Sequence, residues 1–230
     1  MRSKVFLLDC MEGMKYTPDK FYDLAVVDPP YGIGEDGLKN HSRGNKAKPT
    51  LYTPKKWDKE TPSDDYFDEL VRVSKNQIIW GGNYFPLPPT QCFIVWDKLN
   101  GDNDFADCEL AWTSFKKAVR KFTFRWSGML QGNMKMKESR IHPTQKPVAL
   151  YDWIFKNYLP DGGKVLDIHL GSGSSRIAAD KAGNIDFTGY EIDVDYFKAQ
   201  EKRFEIYKRQ AVIKFPDEKT EKINPILFDE

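Results

Sequence analysis

Cysteine is scarce: the 230 residues include three, Cys10, Cys92 and Cys108, far apart and without a CxxC pair. That spacing supports neither a disulfide framework nor a zinc site, so reduced thiols and no metal centre are expected. Long hydrophobic runs are also missing. No stretch of 18 apolar residues could cross a bilayer, and the apolar run after MRSK lasts four residues before Asp9, too short for a secretory signal. A cytoplasmic protein with no membrane partner is expected. There is no internal repeat and no excess of one charge, since 35 Lys and Arg face 34 Asp and Glu. What is present is a globular composition, 40% hydrophobic and 14% aromatic, in a chain long enough for one sizeable core.

The overall balance hides two basic segments. Residues 115–141 carry eight bases (Lys116, Lys117, Arg120, Lys121, Arg125, Lys135, Lys137, Arg140) against the single acid Glu138. Residues 31–60, which include Arg43, Lys46 and Lys48, carry seven bases against four acids. Charge alone leaves two readings open, a solvated face or a footprint for a phosphate backbone.

Short β-rich runs at 4–8, 24–27, 77–80, 92–96, 109–114, 121–126, 164–168 and 186–190 alternate with helical periodicity at 64–74, 147–158, 174–182 and 195–209. This order predicts an α/β fold, a largely parallel twisted sheet with helices on both faces and an antiparallel meander over about 90–126. Residues 33–62 lack periodicity and predict a long mobile or functional loop within one domain, 1–230.

Ligands of open α/β sheets bind beyond the carboxyl ends of the strands, and three such places stand out. In KVLDIHLGSGSS a strand ends near Asp167 and leads through Gly171, Ser172, Gly173 and Ser174 into a helix, a turn that lets a ligand approach the backbone. A dinucleotide fingerprint would want glycine at Arg176, which disfavours a nicotinamide site. In IDFTGYEID the strand ends at Glu191, twenty residues past Gly171, where a carboxylate can accept both hydroxyls of a ribose. In AVVDPPYG an apolar strand ends at Asp28, Pro29, Pro30 and Tyr31. The prolines stiffen the exit and donate no hydrogen bond, so Asp28 and nearby carbonyls read as an acceptor-only cluster with Tyr31 as a flat wall. Its complement is a flat ring bearing an NH₂ group, adenine or cytosine.

DPPY at 28–31, HPTQKP at 142–147 and DIHLGSG at 167–173, in that order, resemble the S-adenosylmethionine-dependent DNA amino-methyltransferases that modify adenine N6 or cytosine N4. The motif order is that of their circularly permuted beta group, and the resemblance covers about residues 5–209. It implies a Rossmann-like methyltransferase fold and a DNA adenine-N6 methyltransferase, with cytosine-N4 activity or a non-catalytic DNA-binding relative as the alternatives. It further implies S-adenosylmethionine as cofactor and double-stranded DNA as partner, with a homodimer compatible. Residue by residue, Asp28 and a carbonyl of Pro29 or Pro30 would accept the target amino hydrogens and Tyr31 would stack on the flipped base. Asp9, Cys10, Asp28, His142, Pro143, Thr144, Gln145, Lys146, Asp167, His169, Gly171, Ser172, Gly173, Ser174 and Glu191 would surround the cofactor. Thr144 reads as the cap of a helix whose N-terminus and Lys146 suit a carboxylate. The basic residues would contact DNA, with about 97–141 as target-recognition segment and loop 33–62 closing over the base. Two departures stand out: Asp167-Ile168-His169 where the family commonly has Asp-Pro-Phe, and Gly32 where asparagine is frequent.

Overall fold

The computed structural model describes residues 2–34, 55, 57–100, 106–127, 130–135 and 137–214, apart from the side chains of residues 127 and 211–214. Among these described residues ten strands and five helices follow in chain order: β1 (Ser3–Leu7), α1 (Cys10–Lys15), β2 (Tyr22–Val27), α2 (Asp64–Val73), β3 (Ser74–Trp80), β4 (Phe93–Asp97), β5 (Cys108–Thr113), β6 (Arg120–Thr123), β7 (Trp126–Ser127), β8 (Leu130–Gln131), α3 (Val148–Tyr158), β9 (Gly163–Asp167), α4 (Ser174–Ala182), β10 (Ile185–Glu191) and α5 (Val194–Lys214).

Eight strands form one sheet in the order β1-β10-β9-β2-β3-β5-β4-β6, and β7 with β8 forms a small hairpin beside it. From β1 to β3 all neighbours are parallel. The expected meander over 90–126 is only half right. β5 is antiparallel to both β3 and β4, but it inserts between them, and β6 adds to β4 in parallel. Parallel strands need both faces covered, which is why β2 is apolar at consecutive positions. Leu24 and Val26 point into a core shared with Leu150, Ile154 and Ala178 of α3 and α4. Ala25 and Val27 point the other way, onto Met14 of α1 and Phe67 and Leu70 of α2.

Chain direction sets the ligand crevice. From β9 the chain crosses to β10 on one side, and from β2 it crosses to β3 on the other, so the switch point falls between the carboxyl ends of β9 and β2. These strands pair at Leu24–Val165 and Ala25–Leu166, a register that puts Val26 level with Asp167 and Asp28 level with His169, at the start of the glycine turn. Two local features differ from expectation. The six-residue α1 was too short to show a period, and α2 passes straight into β3 at Ser74, whose hydroxyl donates to Leu70 O at 2.5 Å while its backbone turns extended. Arg176, at the place of a third fingerprint glycine, is a buried strut. It bonds Ser3 Oγ (2.9 Å) and Gln200 Oε1 (3.0 Å) and lies over the Phe204 ring, tying α4 to β1 and α5.

Candidate active site

The Asp28 carboxylate is not surrounded by acceptors alone. Tyr31 Oη donates to Oδ1 at 2.6 Å, and the Lys146 ammonium donates to Oδ2 at 2.6 Å. The expectation of an acceptor-only cluster is therefore corrected, because a carboxylate this enclosed requires a cation. Lys146 is 4% exposed and also lies 3.1 Å from Glu109 Oε2 of β5, which pairs through Oε1 with Lys98. Burial pushes the Asp28 carboxyl up, partly offset by Lys146. Burial works against the Lys146 ammonium, yet Asp28 and Glu109 outweigh it and hold its pKa above the ordinary value. Glu109 falls to about 2, since Lys146 and Lys98 together overcome its burial.

Tyr31 is a wall already partly covered. Its ring stacks on Tyr84 with centroids 4.9 Å apart and planes 13° apart, and it meets Phe85 edge-on. Gly81, with φ +70°, passes so close that a Cβ there would sit 2.2 Å from the ring. The backbone around Pro29 and Pro30 contains no cis bond, and the amides of Tyr31 and Gly32 both donate to Asp58 Oδ1, at 2.7 and 2.9 Å. Asp58 is 2% exposed, so the chain just ahead of α2 is fastened to the DPPY exit. Three residues before Asp58, Lys55 pairs with Asp193 at 3.0 Å and with Asp195.

The glycine turn is built as expected, with Gly173 in the left-handed region (φ +70°) at the start of α4. Glu191 accepts the Gly171 amide on Oε2 and the Asp193 amide on Oε1, both at 2.8 Å. One bond per oxygen leaves each with further accepting capacity. Asp167 accepts from Ser175 Oγ (2.5 Å) and the His169 amide (3.0 Å), and burial raises it to about 7 despite these bonds. Asp9 caps α1 by accepting the Met11 amide at 2.8 Å, while burial and Asp9 lift the Cys10 thiol to about 11. The Ser172 and Ser174 hydroxyls are buried and face each other at 3.1 Å, and Arg203 bonds Ser174 Oγ at 2.9 Å. They brace the turn. His169 Nδ1 lies 3.3 Å from Tyr66 Oη, and burial lowers its pKa to about 4.

The HPTQKP block departs most from expectation. Thr144 does not cap α3. Its hydroxyl lies 3.1 Å from His142 Nδ1, Pro147 stands at the cap, and Glu138 Oε1 accepts the Val148 amide at 3.0 Å. Glu138 also pairs with Arg203 at 2.7 Å, linking the start of α3 to the glycine turn. Gln145 spends its side chain on its own loop, accepting from Ile141 N and donating to Ser139 O, while its carbonyl accepts Trp126 Nε1. Lys146 is committed to Asp28 and Glu109, so it is no free cation for a ligand carboxylate. His142, after which Pro143 turns the chain, packs on Tyr196 and Trp57 with centroids 4.2 and 5.4 Å away. Burial and Lys146 depress its pKa to about 3. Sequence reasoning missed Glu109, Lys98, Asp58, Arg203 and Tyr84. The one available signal was Glu109, an acid inside the otherwise apolar strand CELAWT.

The basic residues divide. Arg43, Lys46 and Lys48 lie outside the described residues. Lys117 donates to Asn157 O in the last turn of α3, and α3 starts at the site, so Lys117 and its neighbour Lys116 sit about 16 Å away at the opposite end. Lys121 pairs with Asp97 at 3.2 Å on the sheet edge next to Arg120. Arg125, Lys135 and Lys137 are exposed on the segment that runs from the end of β6 to His142, and Arg140 lies over the Trp126 ring at 4.6 Å. Among the described residues no metal-holding cluster of His, Cys, Asp and Glu occurs, and no helix is long and apolar enough to cross a membrane.

This topology and the crevice at its switch point are those of the Rossmann-like class I methyltransferases. The solved M1.HpyAVI–SAM complex aligns over 87% of this chain and 98% of its own, with a TM-score of 0.54 and 18% identity. The cytosine-N4-specific PvuII DNA methyltransferase aligns over 91% and 92%, with a TM-score of 0.54 and 14% identity. The N6/N4 family model, described as DNA methylase, matches residues 102–202. Type II methyltransferase M.HinfI of Haemophilus influenzae is 24% identical over 85% of this chain, which spans 66% of that relative's length. The chain thus shares the fold of solved DNA methyltransferases, and residues 102–202 are similar to the N6/N4 DNA methylase family.

Proposed function

We propose that this protein transfers a methyl group from S-adenosylmethionine to the exocyclic N6 of adenine in duplex DNA, acting on a base swung out of the helix. The observation that carries this reading is the Asp28 carboxylate beside the glycine turn, paired with Lys146 at the crevice of a methyltransferase fold. The residues present fit the cofactor: Glu191 keeps an accepting position on each oxygen for two ribose hydroxyls, and Gly171 leaves the backbone open to close approach. When bound, the cofactor supplies an activated sulfonium methyl group.

The protein has to improve a poor nucleophile, because the lone pair of an exocyclic amine is delocalised into its ring. Asp28 and a carbonyl of Pro29 or Pro30 accept the two amino hydrogens, which favours a more tetrahedral nitrogen and aims its lone pair at the methyl group. Asp28 does not need to remove a proton before attack, since one is lost afterwards. Tyr31 offers a stacking face that offsets part of the unstacking cost of a few kcal/mol. Arg125, Lys135 and Lys137 reach phosphates near the crevice, and about 97–141 acts as the recognition segment of a single-domain enzyme. A carboxylate at position 28 does not exclude cytosine, whose amino group makes the same bonds. The test is incubation of unmethylated plasmid DNA with the protein and S-adenosylmethionine, followed by nucleoside mass spectrometry. N6-methyl-2′-deoxyadenosine is expected; N4-methyl-2′-deoxycytidine alone would overturn the base assignment. Asp28→Ala is expected to abolish transfer with DNA binding largely kept, and turnover within about tenfold of the unaltered protein would refute the role of Asp28.

A further inference from the structure

Lys146 is held from two sides, and the second side has no role in the reaction described so far. Glu109 projects from β5, pairs with Lys98 through Oε1 and faces Lys146 with Oε2. The 3.1 Å contact to Lys146 is an ion pair without hydrogen-bond alignment, so Oε2 is a buried acceptor with unused capacity turned toward the site. Meanwhile both Asp28 oxygens are engaged, Oδ1 by Tyr31 and Oδ2 by Lys146. A target amino group that approaches Asp28 must compete with a full ammonium for Oδ2.

Resting on the proposed amino-methyl transfer, we infer that Glu109 is a positioning residue: it draws Lys146 away from Asp28 Oδ2 when the target amino group arrives. The ammonium moves between two carboxylates and stays paired throughout, so Asp28 gains an accepting position without stranding a buried cation. No bond is made or broken and no proton changes owner. Lys98 sets how strongly Glu109 pulls, since it competes for the same carboxylate. Besides Lys146 and Glu109, the titratable groups facing Asp28 are Tyr31 from its own loop, Tyr66 of α2, Tyr151 of α3 and Asp167 of β9. These stay constant in the variants that test the idea.

Glu109→Gln leaves Lys146 committed to Asp28. Single-turnover methylation at saturating DNA should fall by about thirtyfold, the equivalent of one charged hydrogen bond, while DNA affinity changes little. Glu109→Asp should restore part of the rate. In ligand-free protein with ¹³C-labelled aspartate, the Asp28 carboxyl titration, assigned with Asp28→Asn, should move to lower pH in Glu109→Gln, because an anion has gone. It should move to higher pH in Lys98→Met, because a cation has gone and Glu109 pulls harder on Lys146. Opposite displacements are not produced by general loosening, and Lys98→Met carries the test if Glu109→Gln does not fold. A Glu109→Gln rate within threefold of the unaltered protein, or displacements of the same sign, would overturn the inference. If the titrations separate as stated but the unaltered protein methylates no DNA, the proposed function fails and the Lys146 arrangement stands.

Discussion

Replacing Lys146 with methionine keeps the length of the side chain and removes the ammonium between two buried carboxylates. Glu109 retains Lys98, so the damage concentrates on Asp28, whose side chain is 18% exposed and keeps only the Tyr31 hydroxyl as donor. Breaking one partner of a buried pair costs about 3–5 kcal/mol, and the surviving Lys98–Glu109 pair puts the expected loss near the lower end, about 3 kcal/mol at pH 7.5. The pH dependence has a definite sign. Without Lys146 the folded Asp28 pKa lies further above its unfolded value, so proton uptake stabilises the fold at low pH and that stabilisation is lost as pH rises through the folded pKa. The deficit should therefore shrink on going to pH 5, by at most about 1.4 kcal/mol per pH unit for one carboxylate. Urea unfolding at both pH values measures this directly. The Lys146→Met/Asp28→Asn double variant should recover most of the loss, giving a coupling of about 2 kcal/mol or more. A loss under 1 kcal/mol at both pH values, or strict additivity with Asp28→Asn, would refute the account of Lys146 as the counter-ion of Asp28.

Asp58→Ala removes the acceptor of two backbone amides at the DPPY exit and should cost about 2–3 kcal/mol, with Asp58→Asn milder, in denaturant unfolding. Methylation should drop more than cofactor affinity does, because the loosened segment carries Tyr31. Gly81→Ala imposes a left-handed backbone on alanine, about 1–2 kcal/mol, and drives a methyl group into the Tyr31 ring. Near-ultraviolet circular dichroism should change, and methylation should fall with it. His169 and His142 are held neutral at about 4 and about 3, so their contribution is present above the ordinary histidine pKa and lost as pH falls below 6.5. For His169 the loss reaches about 3 kcal/mol by pH 4. Asp167, raised to about 7, acts in the opposite sense and loses stability as pH rises from about 4 to 7. Thermal melts of His169→Asn should show a shallower decline in acid than the unaltered protein.

The motif residues were legible because their chemistry is local. A carboxylate followed by two prolines, or glycines between a strand and a helix, states its backbone geometry within a few positions: Asp28 and Glu191 stand at strand ends and Gly173 at the start of a helix, as read. Side-chain partners were another matter. Thr144 looked like a helix cap by position, yet Glu138 reached the first helical amide and left Thr144 to His142. Lys146 looked like a cation for a ligand and turned instead to Asp28, 118 residues earlier. Nothing in the local pattern of CELAWT says that Glu109 faces a lysine.

The alternation of strand and helix signals determined by itself the kind of sheet and the places where ligands meet strand ends, because strand exits depend on residues close in sequence. Only the tertiary structure decided which charges neutralise one another: Asp28 with Lys146, Glu109 with Lys98 and Lys146, Glu138 with Arg203. A buried charge takes the nearest opposite charge in space. Nearness here is set by the insertion of β5 beside β3 and by the start of α3 over the crevice, neither of which is written in any short stretch of the chain.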